Sequence, residues 1–149
     1  MKPEHGMSVI VKTVTRWLVG FIFLFGLYVA LYGHISPGGG FPGGVIIACT
    51  FILITLAAGK EFSLRILSLD STSMLDSLGA FLFLFIGLCG ITYGGVFLAN
   101  FLPLGTPFHL DSAGTIVFSN LAIGIKVGAA VFAAFMLLSM FRPEEDIEE

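Results

Sequence analysis

Charged side chains are scarce in this sequence, and their scarcity excludes a soluble domain. Charged residues make up 11% of the chain and apolar residues 56%, and the mean hydropathy is +1.00. A globular domain usually has about a quarter of its residues charged, because its surface must be hydrated. Five of the ten acids lie in the last six residues, so the rest of the chain has neither an acidic face nor a basic patch suited to nucleic acid. The composition therefore predicts an integral membrane protein that binds no nucleic acid.

The sequence also lacks the residue patterns of an enzyme. Its two cysteines, Cys49 and Cys89, do not have the spacing of a metal-binding or thioredoxin-like motif. There is no Ser/His/Asp triad, no pair of carboxylates, no metal-ligand cluster and no nucleotide-binding loop. The apolar stretches leave no room for a soluble catalytic domain. We therefore expect a non-catalytic chain that binds no cofactor or metal of its own.

Long apolar runs are what the sequence has in abundance. Four of them lie between charged or imidazole side chains, and each approaches or exceeds the roughly 20 residues that a helix needs to cross a bilayer. Helices are expected because open strands would leave backbone groups unpaired in lipid. The predicted fold is an all-α transmembrane domain at residues 1–142 with an acidic C-terminal tail at 143–149. The spans are predicted at about 9–33, 41–59, 77–102 and 113–141.

The Lys and Arg residues predict how the spans are oriented. Apart from Lys126, they precede the apolar run 17–33 of span one, lie between spans two and three or follow span four, whereas loops 34–40 and 103–112 contain none. By the positive-inside rule, both termini are predicted to be cytoplasmic. Between spans two and three, the segment 61–77 is predicted to form a short interfacial helix followed by a turn at 70–73.

Lys126 is the charged residue that falls in the middle of a span. A charge at the bilayer centre costs at least about 2.5–3.5 kcal/mol on insertion scales, so the ammonium must face protein or water. Small residues share its side of the helix, and Gly124 and Gly128 form a small-residue notch on the other side, which predicts close packing on both sides. The functional interpretation is a proton-accepting or cation-modulating site, and the alternative is a structural lysine paired with a carboxylate. Because no midplane acid is evident, a water-filled cavity or another subunit is expected to supply the partner.

Three further polar residues are candidates for an ion path. His34 and Asp111 lie with His109 on the predicted outer side, where an imidazole that titrates near neutral pH suits a proton or ion mouth. The alternative for them is a polar anchor at the membrane surface. Asp76 lies at the predicted cytoplasmic entrance to span three, where it would cap the helix or attract cations. The cap is the favoured interpretation.

The stretch GHISPGGGFPGG, residues 33–44, connects the first two spans. Its glycines allow a mobile backbone or a close approach to a partner, and an ordinary tight connection is the alternative. Together with the run NLAIGIKVGAAV around Lys126, it resembles the MnhB/MrpB family. These are small membrane subunits of Mrp-type sodium/proton antiporters and of related antiporter-like modules in membrane-bound hydrogenase-type complexes. The matching loop positions are Pro37, Gly38, Gly39, Gly40, Phe41, Gly43 and Gly44.

The resemblance implies an accessory subunit of a multisubunit cation/proton translocating complex in the cell membrane. Such a subunit packs beside larger antiporter-like subunits and contributes to the sodium path, with Na⁺ and H⁺ as the transported ions. Its expected partners are other Mrp-type membrane subunits, and any iron–sulfur or nickel centres of a redox-driven complex would lie on those partners. One alternative is a purely structural scaffold subunit. Another is a small homodimeric transporter, which the apparent lack of a mid-membrane acid disfavours.

Overall fold

The computed structural model describes residues 7–141, and the regular structure in this range is helical, without strands. Four helices are long and apolar enough to cross a bilayer, so the predicted all-α fold with four spans is confirmed. A short fifth helix follows the second span. In chain order the helices are α1 (Val9–Leu31), α2 (Gly40–Ala58), α3 (Lys60–Ile66), α4 (Leu69–Gly94) and α5 (Thr115–Met140).

The four long helices lie side by side in a single layer, which we call the helix row. α1 packs against α2, α2 against α5, and α5 against α4, whereas α1 touches α5 only slightly. The spatial order is therefore α1–α2–α5–α4, and the last helix of the sequence lies inside the row. Phe132 and Met136 of α5 are fully buried there, together with Ala48 of α2. A single layer leaves both of its broad faces uncovered by the chain itself.

One end of the helix row, which we call the basic end, carries four of the five lysines and arginines among the described residues. Lys12 and Arg16 are on the first turns of α1, and Lys60 and Arg65 are on α3. The Lys60 ammonium donates a hydrogen bond to the carbonyl of Ser139 at the end of α5, which ties the two elements together. The connections 32–39 and 95–114 lie at the opposite end, the loop end. The cytoplasmic location of the basic end stays a prediction.

Helix α4 begins eight residues before the predicted start of span three. Ser68 is its N-cap, and the Ser68 hydroxyl accepts a hydrogen bond from the backbone N–H of Ser71 at 3.1 Å. Such a cap satisfies one of the free N–H groups of a first helical turn. The turn predicted at 70–73 is therefore wrong, because these polar residues form the first turns of α4. The short helix predicted just before it is present as α3, and its location at the membrane interface stays a prediction.

Helix α4 also ends earlier than the predicted span, at Gly94. Gly95 has a φ of 77°, a left-handed conformation that stops the helix and favours glycine. The chain then folds back, and the ring of Phe97 lies where a side chain on Gly87 would be. Small residues near the end of α4 thus make room for the returning segment. The acidic tail predicted at 143–149 lies outside the described residues.

The first turn of α5 depends on a side chain that lies before it in the sequence. Asn100 Oδ1 accepts hydrogen bonds from the backbone N–H of Thr115 at 3.0 Å and from its hydroxyl at 3.1 Å. We expect Asn100→Ala to remove this cap and to destabilise the first turn by about 1 kcal/mol, as loss of a helix cap does. Hydrogen exchange at the Thr115 amide would then be several-fold faster. Asn100→Asp keeps the acceptor and is the control; equal exchange rates in the wild type and Asn100→Ala would contradict the assignment.

Candidate functional site

Lys126 and Asp76 form an ion pair between α5 and α4. The Lys126 Nζ lies 2.7 Å from Asp76 Oδ1, and this is the one salt bridge within residues 7–141. At a rise of about 1.5 Å per residue, Lys126 lies about 16 Å from Thr115 and about 21 Å from Met140 along α5. By the same measure, Asp76 lies about 10 Å from the start of α4. The pair is therefore inside the membrane-spanning part of the helix row.

Two of our sequence predictions about this pair are wrong for the same reason. We expected no carboxylate of this chain near Lys126, and we expected Asp76 to cap span three. Because α4 begins at Leu69, Asp76 lies in the third turn of the helix, where it cannot act as a cap. Asp76 therefore lies deeper in the helix than predicted, and its carboxylate can reach the Lys126 ammonium.

Gly79 allows the two helices to approach closely enough for the pair to form. A Cβ atom at this position would lie 2.7 Å from the backbone N of Lys126 and 2.8 Å from its Cβ. The backbones of α4 and α5 are thus in direct contact at the level of the lysine. Asp76 lies about one helical turn closer to the basic end than Gly79, so the lysine side chain extends toward that end to reach the carboxylate.

The ion pair is open on one side of the helix row. The Lys126 side chain is 46% exposed and that of Asp76 38%. A cavity of about 270 Å³ lies next to Asp76, with Ser73, Ala130 and Ala133 in its wall. We call the surface formed by these five residues the charged face. A charged group facing lipid is costly, so in the membrane this face must be in contact with water or with another protein chain.

The opposite face of the row is apolar. A second groove of about 280 Å³ spans α1, α2, α4 and α5 there, and its wall is apolar. On α5 it is lined by Leu121 and Ile125, which lie about 140° and 100° from Lys126 on a helix that turns about 100° per residue. Polarity is therefore concentrated on the charged face.

The helix α5 uses small residues on two sides, as predicted from the sequence. Toward α4, Ala122 lies against Gly79. Toward α2, Gly124 and Gly128 lie against the start of that helix, with Gly128 opposite the carbonyl oxygen of Gly44. Small residues allow close backbone approach, which is a main source of helix association in membranes. This is why α5 lies inside the row.

The glycine motif is partly explained by helix packing. Gly40, Gly43 and Gly44 are helical and buried at the start of α2. A Cβ on Gly43 would lie 2.7 Å from the backbone N of Ala30 in α1, and one on Gly44 would lie 2.6 Å from the carbonyl oxygen of Gly124 in α5. These glycines let α1 and α5 approach α2 from its two sides, so the mobile-backbone interpretation does not apply to them.

The remaining residues of the motif lie at the loop end. Gly39 is the N-cap of α2, with a φ of 148° that favours glycine. Pro37, Gly38 and Phe41 are exposed, and Phe41 is 63% exposed. Packing within this chain therefore does not explain why proline and phenylalanine occupy positions 37 and 41.

Asn120 is a residue of this region that sequence reasoning missed. Its side-chain oxygen accepts a hydrogen bond from the backbone N–H of Gly40 at 3.3 Å, which joins α5 to the first turn of α2. The same side chain lies close to Gly33 and Gly39 in the connecting loop. An isolated amide in an otherwise apolar span was the available signal, because such a group needs a partner in the membrane.

His34, His109 and Asp111 are all at the loop end, away from the ion pair. The His34 Nε2 lies 3.2 Å from the carbonyl oxygen of His109, so the ring donates a hydrogen bond to the second connection. The His34 Nδ1 is buried without a hydrogen-bond partner among the described residues. Asp111 lies in a short 3₁₀ turn and, with His109 and Tyr32, lines a cavity of about 730 Å³. The predicted polar residues thus form two separate groups.

Neither group has the composition of a metal centre. Within the described part of the chain, no cluster of three or more His, Cys, Asp or Glu side chains is arranged to hold a metal ion.

Comparison of the sequence with known protein families shows the family to which the chain belongs. A protein-family model described as "Domain related to MnhB subunit of Na+/H+ antiporter" matches residues 10–133. The chain belongs to the MnhB family.

Relatives of this MnhB-family chain come from archaea and bacteria. It is 38% identical over 120 residues to an uncharacterized protein of Methanocaldococcus jannaschii, and the match covers 76% of this chain and 45% of the relative. It is 32% identical over 137 residues to a Staphylococcus aureus (strain Newman) protein described as a proposed antiporter subunit, mnhB2, with 89% and 94% covered. The chain therefore spans less than half of the first relative and nearly all of the second.

A solved structure shares the fold. A chain in the structure of the membrane-bound sulfane sulfur reductase (MBS), an archaeal respiratory membrane complex, superimposes with a TM-score of 0.70 at 30% sequence identity. The superposition covers 93% of the MnhB-family chain and 62% of the MBS chain. The likeness thus extends over almost the whole helix row.

Proposed function

We propose that this protein is an accessory, non-catalytic subunit of a multisubunit cation/proton translocating complex in the cell membrane. The complex is an Mrp-type Na⁺/H⁺ antiporter or a related module, in which the subunit packs beside larger antiporter-like subunits and contributes to the sodium path. Membership of the MnhB family supports this. So do the relatives, since one is described as an antiporter subunit and another is part of a respiratory membrane complex.

The observation that carries the proposal is the half-exposed ion pair inside the membrane. A protein that worked alone in lipid would enclose Lys126 and Asp76 between its own helices. Here both side chains are open on the charged face. Since lipid is a poor solvent for either charge, the face requires a neighbouring subunit or a water-filled path. Both requirements are met in a multisubunit ion-translocating complex.

The single-layer architecture supports the same proposal. A helix row has two broad faces, and in this chain one is charged and the other is an apolar groove. Neighbouring subunits on the charged side and lipid or further subunits on the apolar side would suit this division. With the basic end in the cytoplasm, as the positive-inside rule predicts, the charged pair lies closer to the cytoplasmic surface along α4 than along α5.

The alternative is a purely structural scaffold subunit of the same assembly. The observation that favours it is that Gly40, Gly43 and Gly44, three positions of the glycine motif, serve the packing of α2. A scaffold would need this packing without needing a charged pair. The two functions therefore differ in whether ion transport is lost when the pair is removed from an assembled complex.

The test of the proposal is to identify the partners of the chain. The tagged protein is purified from its native membranes in mild detergent, and the recovered complex is reconstituted in vesicles to measure sodium-dependent proton movement. We expect larger antiporter-like membrane subunits to co-purify. Iron–sulfur or nickel proteins among the partners would indicate a redox-driven pump, and their absence a stand-alone antiporter. Recovery of this chain alone, as a homodimer with full transport activity, would contradict the proposal.

A further inference from the structure

A cavity between α1 and α2 opens at the basic end of the helix row. Its volume is about 450 Å³, within the range of about 300–1,000 Å³ that is usual for ligand pockets. Val19, Ile54 and Phe62 form much of its apolar wall, with Phe62 contributed by α3. Lys12 and Arg16 line the same cavity. The cavity is thus lined by two positively charged side chains and an apolar wall.

The two cations share one side of α1. They are four residues apart, so their side chains lie one above the other on the helix surface. Neither is paired with a carboxylate in the described part of the chain, where the one salt bridge is Lys126–Asp76. The structure therefore leaves two adjacent positive charges available to an anion at this cavity.

The cavity lies near the basic end of α1, where the headgroups of the bilayer are expected. Lys12 and Arg16 lie about 4 and 10 Å along α1 from Val9, at the start of a membrane-spanning helix. Trp17, next to Arg16, is 73% exposed, as is usual for tryptophan at the boundary between headgroups and hydrocarbon. By extending toward the basic end, the Lys12 and Arg16 side chains can therefore reach phosphate groups, and the apolar wall continues toward the acyl chains.

We propose that this cavity binds an anionic phospholipid from the leaflet at the basic end. The Arg16 guanidinium can donate two parallel hydrogen bonds to a phosphate, and the Lys12 ammonium adds a second charge. The upper part of an acyl chain lies along Val19, Ile54 and Phe62. A free phosphate ion would make no use of this apolar wall, which is why a lipid fits the cavity better. The proposal does not depend on the proposed transport function.

The experiment compares lipid retention by matched variants of the full-length protein, purified with its partners where these are recovered. Each variant is equilibrated with vesicles of equal phosphatidylglycerol and phosphatidylcholine content, and the retained lipids are measured by native mass spectrometry. We expect wild type to retain phosphatidylglycerol preferentially. A basic residue near an anionic lipid contributes about fivefold, so we expect Arg16→Gln to lower the preference about fivefold and Lys12→Gln/Arg16→Gln about thirtyfold.

Arg65→Gln is the matched control, because it removes the same charge at the same end but does not line this cavity. We expect its lipid preference to stay within about twofold of wild type, since the charge it removes is not at the cavity. Val19→Phe, which narrows the apolar part without changing charge, is expected to reduce retention of both lipids. Three results would overturn the proposal. They are equal retention of the two lipids by wild type, an equal loss in Arg65→Gln and Arg16→Gln, and displacement of the lipid by inorganic phosphate.

Discussion

Replacing Asp76 with Asn is expected to reduce the amount of assembled complex in the membrane at least tenfold. The change leaves the Lys126 ammonium without a counter-charge, and an unpaired lysine at the centre of a span costs about 2.5–3.5 kcal/mol on insertion scales. Partial access to water on the charged face reduces that cost, but about 1.4 kcal/mol suffices for a tenfold change. The measurement is the yield of intact complex from membranes containing equal amounts of the chain.

The double variant Lys126→Met/Asp76→Asn separates the two proposed functions. It carries no charge at the site, so we expect assembly to recover toward the wild-type level. Loss of sodium-dependent transport in that assembled complex would support a role in the ion path, and retained transport would support the scaffold. Asp70→Asn is the matched control, because Asp70 lies in the first turn of the same helix outside the ion pair. Wild-type assembly in the single Asp76→Asn variant would show that the pair is dispensable.

Replacing Gly44 with Ala is expected to separate α2 from α5. The new methyl group would lie 2.6 Å from the carbonyl oxygen of Gly124 and 3.1 Å from the backbone N of Gly128. Because backbone atoms cannot rotate away as a side chain can, the helices must move apart. Overpacking of this kind costs typically about 1–3 kcal/mol, and more where the neighbour is rigid. We expect a clear loss of thermal stability in detergent and a lower yield of folded chain.

Alanine variants of Gly20 and Gly128 provide comparisons for the loss of stability in Gly44→Ala. Gly20 has no atom within 4 Å of the added methyl position, and the nearest atom at Gly128 is 3.3 Å away. Alanine is the better helix former by about 1 kcal/mol, so Gly20→Ala is expected to match or exceed the stability of wild type. Gly128→Ala should fall between Gly20→Ala and Gly44→Ala. A Gly44→Ala protein as stable as the Gly20→Ala protein would contradict the close approach of α2 and α5.

The sequence predicted the spans well because hydropathy and charge act locally. The spans predicted at 9–33, 41–59 and 113–141 lie within two residues of the ends of α1, α2 and α5. The start of α4 is harder to predict, because its first turns are polar and such a polar run also predicts a turn. Ser68 caps those turns, and the apolar part of the helix continues from them without a break. Boundaries set by charge alone therefore fail where a spanning helix begins with polar residues.

Part of the candidate site can likewise be predicted from the sequence and part of it cannot. The sequence alone predicts that Lys126 needs a partner, because the free-energy cost of a charged lysine in lipid depends on that residue alone. The partner itself is fifty positions away in the sequence, and nothing in a local pattern joins Asp76 to Lys126. The same holds for Asn120 and Gly40, which are eighty positions apart. Pairings of this kind depend on which helices are neighbours in the row, and a hydropathy profile does not predict that order.

The helix order also constrains how the protein is made. α4 packs mainly on α5, which leaves the ribosome after it. When α4 enters the bilayer, its neighbour in the finished row has not yet been synthesised. The Asp76 carboxylate is therefore synthesised before Lys126 and reaches the membrane without this partner. The row is thus completed only after α5 is synthesised, and α5 enters between two helices that are already present.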